Sequence, residues 1–166
     1  MQLTFAPRNI LQFDDVEIIW PNFSGTPDKY NRDGKRSFNI VIPDEETKEA
    51  LEAEGWTVKT KPANDEYTEP LYYMPVKVSY HRDPELQHLD PVVTLVTGRR
   101  SNELDEESID NLDHINILEI PHMDISPYDW EVNGKTGRSA YLKKAIIVQE
   151  VDRYHDYLAG RENPQE

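Results

Sequence analysis

Residues 22–42, NFSGTPDKYNRDGKRSFNIVI, pass from a glycine turn through a basic loop into a segment that alternates at period two. Phe38, Ile40 and Ile42 fall on one face and Ser37, Asn39 and Val41 on the other, which is the pattern of a half-buried strand. Upstream, Val16, Ile18 and Trp20 alternate with Glu17 and Ile19. Two such segments joined by residues rich in Gly, Asp and Asn predict a long antiparallel hairpin. Between Lys29 and Arg36 its loop holds four cations, Lys29, Arg32, Lys35 and Arg36, with Tyr30 among them and a single acid, Asp33. The turn itself needs only Gly34 and its Asp or Asn neighbours, so the cations are expected to serve a negatively charged partner.

That loop stands out because the whole chain of 166 residues carries a net charge of −14. The charge is segregated. Residues 44–54 hold six acids and one cation, Lys48, and residues 102–131 hold ten acids and no Lys or Arg. Cations gather in the 29–36 loop, at Arg99 and Arg100, and around Lys135, Arg138, Lys143 and Lys144. Such blocks describe either a bipolar surface or ordinary solvated helices and turns.

Alternation continues along the chain. Residues 56–61, 72–80, 91–97, 115–120 and 141–151 read as strands, residues 10–13 as a short one, and Pro75 marks the 72–80 strand as an edge or a bulge. Asp44 is a helix N-cap ahead of EETKEALEAE, and Gly55 suits its end. Residues 104–112 predict a second short acidic helix. Asn133-Gly134 is the strongest hairpin-turn dipeptide in the chain. Residues 62–70 and 81–90 read as loops, residues 98–101 as a turn. The expected architecture is mainly β with two short acidic helices: a small antiparallel Greek-key barrel of OB type, or a β-sandwich. One domain over residues 1–152 and a polar tail over 153–166 are expected.

Enzymatic signatures are absent from the sequence. Asn31, Asp33 and Gly34 mimic part of a calcium loop, but Lys29 and Ile40 would occupy its first and twelfth positions, where acids are required. His81, His88, His114, His122 and His155 show no metal-ligand spacing. Glu46-Thr47-Lys48 lies on the surface helix without a strand to present it. No glycine-rich phosphate loop precedes a helix, and there is no cysteine, so no cofactor is expected. Neither a signal peptide nor a long apolar run is visible, so a soluble intracellular protein is expected.

What remains is aromatic residues interleaved with cations: Tyr30 in the basic loop, Trp56 with Lys59 and Lys61, Tyr73 with Lys77, Trp130 with Lys135 and Arg138, Tyr141 with Lys143. Single-stranded nucleic acid is held by this mixture, cations along the phosphates and rings against the bases. By their positions Trp20, Phe38, Trp56 and Tyr80 are expected in the core, while Tyr30, Tyr73, Trp130 and Tyr141 are candidates for exposure.

The order and spacing of KYNRDGKRSFNIVIPD, EGWTVK, VTLVTGRR, LDEESIDNLD and SPYDWEVNGKTGRSAYLK across residues 15–155 resemble bacteriophage single-stranded DNA-binding proteins. The resemblance implies an OB-type fold that coats single strands during phage replication and recombination. It places the loop 30–36, the strand 56–61, Arg99, Arg100 and the hairpin 130–138 along a DNA groove. It implies single-stranded DNA as partner, leaves room for phage or host replication and recombination proteins and for a homo-oligomer, and includes no membrane. The end, GRENPQE, lacks the terminal aromatic of partner-recruiting acidic tails. Two rival readings are an acidic DNA mimic acting on a host enzyme and a virion structural or assembly protein.

Overall fold

The alternation at Phe38, Ile40 and Ile42 does build a strand, and all three side chains are buried. In the computed structural model, which describes residues 1–29, 31–66 and 68–151, this strand is β4 (Arg36–Ile42) of one ten-stranded sheet. Before it come β1 (Gln2–Ala6), β2 (Ile10–Asp14) and β3 (Ile18–Asn22). Helix α1 (Glu45–Ala53) and β5 (Lys59–Lys61) follow, then β6 (Leu71–Val78), β7 (Val92–Thr97), β8 (Arg100–Leu104), β9 (Ile117–Val132) and β10 (Lys135–Gln149).

The sheet runs β1-β2-β9-β10-β6-β4-β3, with β5 beside the start of β6 and the β7–β8 pair beside the end of β10. The expected hairpin is present, since β3 and β4 pair antiparallel. The all-antiparallel expectation does not hold: β10 runs parallel to both β6 and β7. Nor do the ladders form a closed sheet. β2 and β3, on the two sides of this order, are successive parts of one bent segment. Asp15 turns it with a φ of 55°. Val16 N donates to the Ile120 carbonyl at 2.9 Å, on the β9 side, and Val41 N donates to the Glu17 carbonyl at 2.9 Å, on the β4 side.

The curl encloses a core of Leu11, Phe13, Phe38, Ile40, Met74, Val76, Met123, Ile125 and Ile147, plugged by Leu51 of α1. Removing this apolar surface from water is what chiefly drives the chain to fold. Helix α1 starts as its cap predicts: Asp44 Oδ1 accepts from Thr47 N at 2.7 Å, and the Thr47 side chain first, with this backbone N–H, holds the Asp44 carboxyl below its usual range. Asn133 and Gly134, with φ of 52° and 78°, turn β9 into β10. Both central residues sit in the left-handed region that a two-residue hairpin turn requires.

Three local expectations are corrected. Pro75 is not on a sheet edge: β6 lies between β4 and β10. Pro75 falls where one neighbour, β5, ends (opposite Tyr73) and the next, β10, begins (opposite Val76), so a missing N–H is tolerated there. Residues 104–112 do not form an α-helix. The Asp105 carboxylate accepts from Glu107 N and Ser108 N at 3.0 Å, a local turn that competes with helix. Only a 3-10 turn, Ile109–His114, follows. Within 56–61, only Lys59–Lys61 form a strand, because Trp56 N is taken by the Leu51 carbonyl at 3.1 Å and its ring turns into the core. Among the described residues no helix is long and apolar enough to cross a membrane. The expected tail, 153–166, lies outside the described residues.

On β9, His122 is held between two acids, Nδ1 3.0 Å from Asp14 Oδ1 and Nε2 2.6 Å from Asp124 Oδ1. The Asp14 contact first, and Asp124 with it, raise the imidazole pKa against the opposing effect of burial. A histidine raised in the folded state stabilises fully below its ordinary value, and that contribution is lost as pH rises through the raised value. Thermal melting should therefore lose more between pH 6 and pH 8.5 in the wild type than in His122→Gln; parallel pH profiles would remove this role.

Candidate nucleic-acid interface

Residues paired across adjacent strands present their side chains on one face. The registers Ser37↔Lys77, Lys77↔Tyr141 and Tyr141↔Ser126 therefore make one row across β4, β6, β10 and β9. Met74, Val76 and Val78 point inward, so Tyr73 and Lys77 of β6 face out. Along the β9–β10 arm, Tyr128 lies opposite Ser139 and Trp130 opposite Gly137, on the same face as Tyr141.

The rings and cations on this face touch. Lys77 Nζ lies 5.7 Å from the Tyr141 ring centroid, and Tyr141 meets Tyr128 edge-on at 5.9 Å. Tyr128 is 60 % exposed. The Trp130 indole lies over Gly137, where a Cβ would overlap it, so the glycine lets the ring lie flat across the arm. Two grooves meet at Tyr141. One is lined by Lys35, Arg36 and Lys77. The other, of 540 Å³, is lined by Tyr128, Lys143, Lys144, Leu89 and Val92. Two acids of the larger groove are engaged by histidines: Asp90 Oδ1 with His81 Nδ1 at 2.8 Å, and Asp124 with His122.

The expected site residues divide. Lys35, Lys77, Tyr141 and Lys143 come together as described. Tyr73 shares the outer face of β6. Lys59 and Lys61 are exposed on β5 beside it, with Lys59 opposite Tyr73. Lys29 and Arg32 are exposed in the basic loop, and Lys135 begins β10 at the exposed hairpin tip. Tyr30 lies outside the described residues. Arg99 and Arg100 sit at the β7–β8 turn, alongside the far end of β10, roughly 20 Å along the strand from Tyr141.

Two expected contacts are corrected. Trp56 is only 3 % exposed and offers no ring face to a base; its assignment to the core is the one that holds. Arg138, expected beside a phosphate, has its guanidinium engaged within the fold. Its Nε and Nη2 donate to Asp129 at 2.7 and 3.3 Å, Nη1 donates to the Glu54 carbonyl at 3.0 Å, and its guanidinium covers Trp56 at 5.5 Å. The same bidentate contact holds the Asp129 carboxyl below its usual range.

Arg36 also carries structure, against the expectation that the loop needs none of its cations. Nε donates to the Phe23 carbonyl at 3.0 Å and Nη2 to the Glu106 carbonyl at 3.3 Å, while the guanidinium stacks 5.5 Å from Tyr80. Burial pushes the Tyr80 phenol up to about 12, with Arg36 opposing. The loop entrance is pinned by Asp113, whose carboxylate accepts from Phe23 N at 2.9 Å and Ser24 N at 2.7 Å. Lys35, by contrast, is exposed, with a long contact of 3.9 Å to Asp33.

Two aromatic residues escaped the sequence reading. Tyr128 was legible: Asp124, Ser126, Tyr128 and Trp130 alternate with Met123 and Ile125. Trp20, expected in the core, is 51 % exposed, because a bulge between Ile19 and Asn22 breaks the alternation.

The fold has counterparts. The structure is similar to the single-stranded DNA-binding protein of bacteriophage Enc34 solved in complex with ssDNA, with a TM-score of 0.56 and 12 % identity over 90 % of this chain and 92 % of that one. A C-terminally truncated form of the Enc34 protein gives a TM-score of 0.54 at 12 % identity, over 90 % and 91 % of the chains. At such identity the likeness speaks for the fold. No curated protein matches the sequence. The sequence does match the family described as "Putative phage ssDNA-binding domain" over residues 1–160, nearly its whole length, and the chain belongs to that family.

Proposed function

We propose that this chain binds single-stranded DNA without sequence preference, the strand lying along the groove over Lys77, Tyr141 and Tyr128 with Lys35, Lys143 and Lys144 at its sides. The family and the Enc34 complex support the ligand. The observation that carries the location is the Lys77–Tyr141 contact across the β6–β10 pair, an exposed ammonium and a half-buried ring in one row on the outer face. Rings stack on any base and cations follow any backbone, so the arrangement is indifferent to sequence. The activity is assigned to residues 1–152. The role is protection of single strands during phage DNA replication and recombination in the host cytoplasm.

Fluorescence anisotropy with labelled oligo(dT) over a salt series tests this reading. Affinity should fall with salt at a log–log slope of about −0.7 for each phosphate neutralised, and duplex of equal length should bind more weakly. A flat salt response, or no binding at low salt, would remove the single-strand reading and leave the acidic DNA mimic.

A further inference from the structure

Trp20 has a left-handed backbone, with φ of 50°, which is an outlier for a bulky side chain and persists only where the surroundings impose it. The register slip between β3 and β4 falls on it. Its effect is to display the ring, which takes no part in the hydrophobic core. The indole stands edge-on to Tyr73, centroids 5.0 Å apart at 85°, with Lys61 Nζ 5.6 Å from its centroid. Beside it opens a pocket of 330 Å³ lined by Ile19, Lys61, Pro62, Glu69, Pro70 and Leu71. Through Tyr73 the pocket adjoins the outer face of β6, roughly 13 Å along the strand from Lys77.

We infer that Trp20 is a second base-stacking platform, and that the single strand continues from the Lys77–Tyr141 row across β6 to end here. One base lies against the indole within the pocket. Lys61, on a flexible stem, moves from the ring to the adjoining phosphate. A nucleobase fits because the ring is flat and half open, has a cation at its side, and is continuous with the groove. The strained backbone holds the ring out where relaxed alternation would have turned it inward. This inference rests on the function proposed above and extends its footprint.

The test uses the full chain with oligo(dT) longer than ~16 nucleotides, beyond the usual site size of one such domain. Trp20→Ala should weaken binding about 5- to 150-fold, the worth of one stacked base, at unchanged salt slope. Trp20→Phe should retain most of the affinity. Lys61→Ala should flatten the salt slope by about 0.7. Trp20→Gly should lose binding like Trp20→Ala yet melt no lower than the wild type, since glycine takes the left-handed backbone freely. Wild-type binding with Trp20→Ala unchanged would overturn the platform and leave the proposed function standing. A steep fall in melting temperature for Trp20→Gly would show the ring to be structural and also overturn it. Failure of the wild type to bind overturns both.

Discussion

Replacing Lys77 and Tyr141 together with alanine should weaken oligo(dT) binding about tenfold or more while lowering the melting temperature by no more than a few degrees. Two separable contributions make up that loss. Removing a ring that stacks on a base costs ~1–3 kcal/mol and releases few counterions, so Tyr141→Ala should keep the salt slope. Removing a phosphate contact should flatten the slope by about 0.7, so Lys77→Ala should do so. The two side chains touch, so the double variant need not equal the sum of the singles. Lys77 is exposed, and exposed substitutions usually shift stability by under ~0.5 kcal/mol; the half-buried Tyr141 ring lies on the outer face, outside the buried cluster, so its loss costs only its contacts with Tyr128 and Lys77. A double variant that binds like the wild type would remove the row from the interface.

Arg138→Ala should do the reverse. Its side chain is only 15 % exposed and serves Asp129, the Glu54 carbonyl and the Trp56 ring at once. Alanine there uncovers a buried indole and leaves a carbonyl without its charged donor, at a cost of about 2 kcal/mol. Little of that comes from the ion pair, because Asp129 is exposed and screened by solvent. For a chain of this size the loss corresponds to a fall of roughly 4–8 °C in melting temperature. The salt slope for oligo(dT) should stay as in the wild type once binding is measured well below the transition. A flattened slope with unchanged melting would return Arg138 to the phosphates. The two experiments together separate cations that meet DNA from cations that hold the fold.

The legibility of each feature follows its range along the chain. The alternation of β4, the Asp44 cap of α1 and the Asn133-Gly134 turn are coded within a few residues and were read correctly. β8, with the sequence RSNEL, escaped because a short polar strand at a sheet edge carries no apolar alternation. The fate of Arg138 depends on Glu54, which is near it only after folding. Arg36 likewise depends on Glu106 and Tyr80. A basic residue beside an aromatic in sequence therefore predicted partners poorly: Lys77 found its ring on another strand, and Arg138 found Trp56 as a lid rather than Trp130 as a neighbour. The bulge at Trp20 has no local signature beyond the proline that follows it, and it reversed the expected direction of the side chain.

The parallel pairing of β6 with β10 also sets when the interface can exist. Antiparallel neighbours such as β9 and β10 meet through a two-residue turn and can zip locally, whereas Lys77 and Tyr141 are joined through a long excursion of chain. Contacts between distant residues form late, because the loop must close before they reward it. During synthesis the first strands emerge with their core faces ready, but the row proposed to receive the DNA is absent until the C-terminal hairpin has left the ribosome and docked. A partly made chain thus has no completed groove with which to seize nucleic acid. Acquisition of oligo(dT) affinity during refolding is accordingly a direct clock for the docking of that last hairpin.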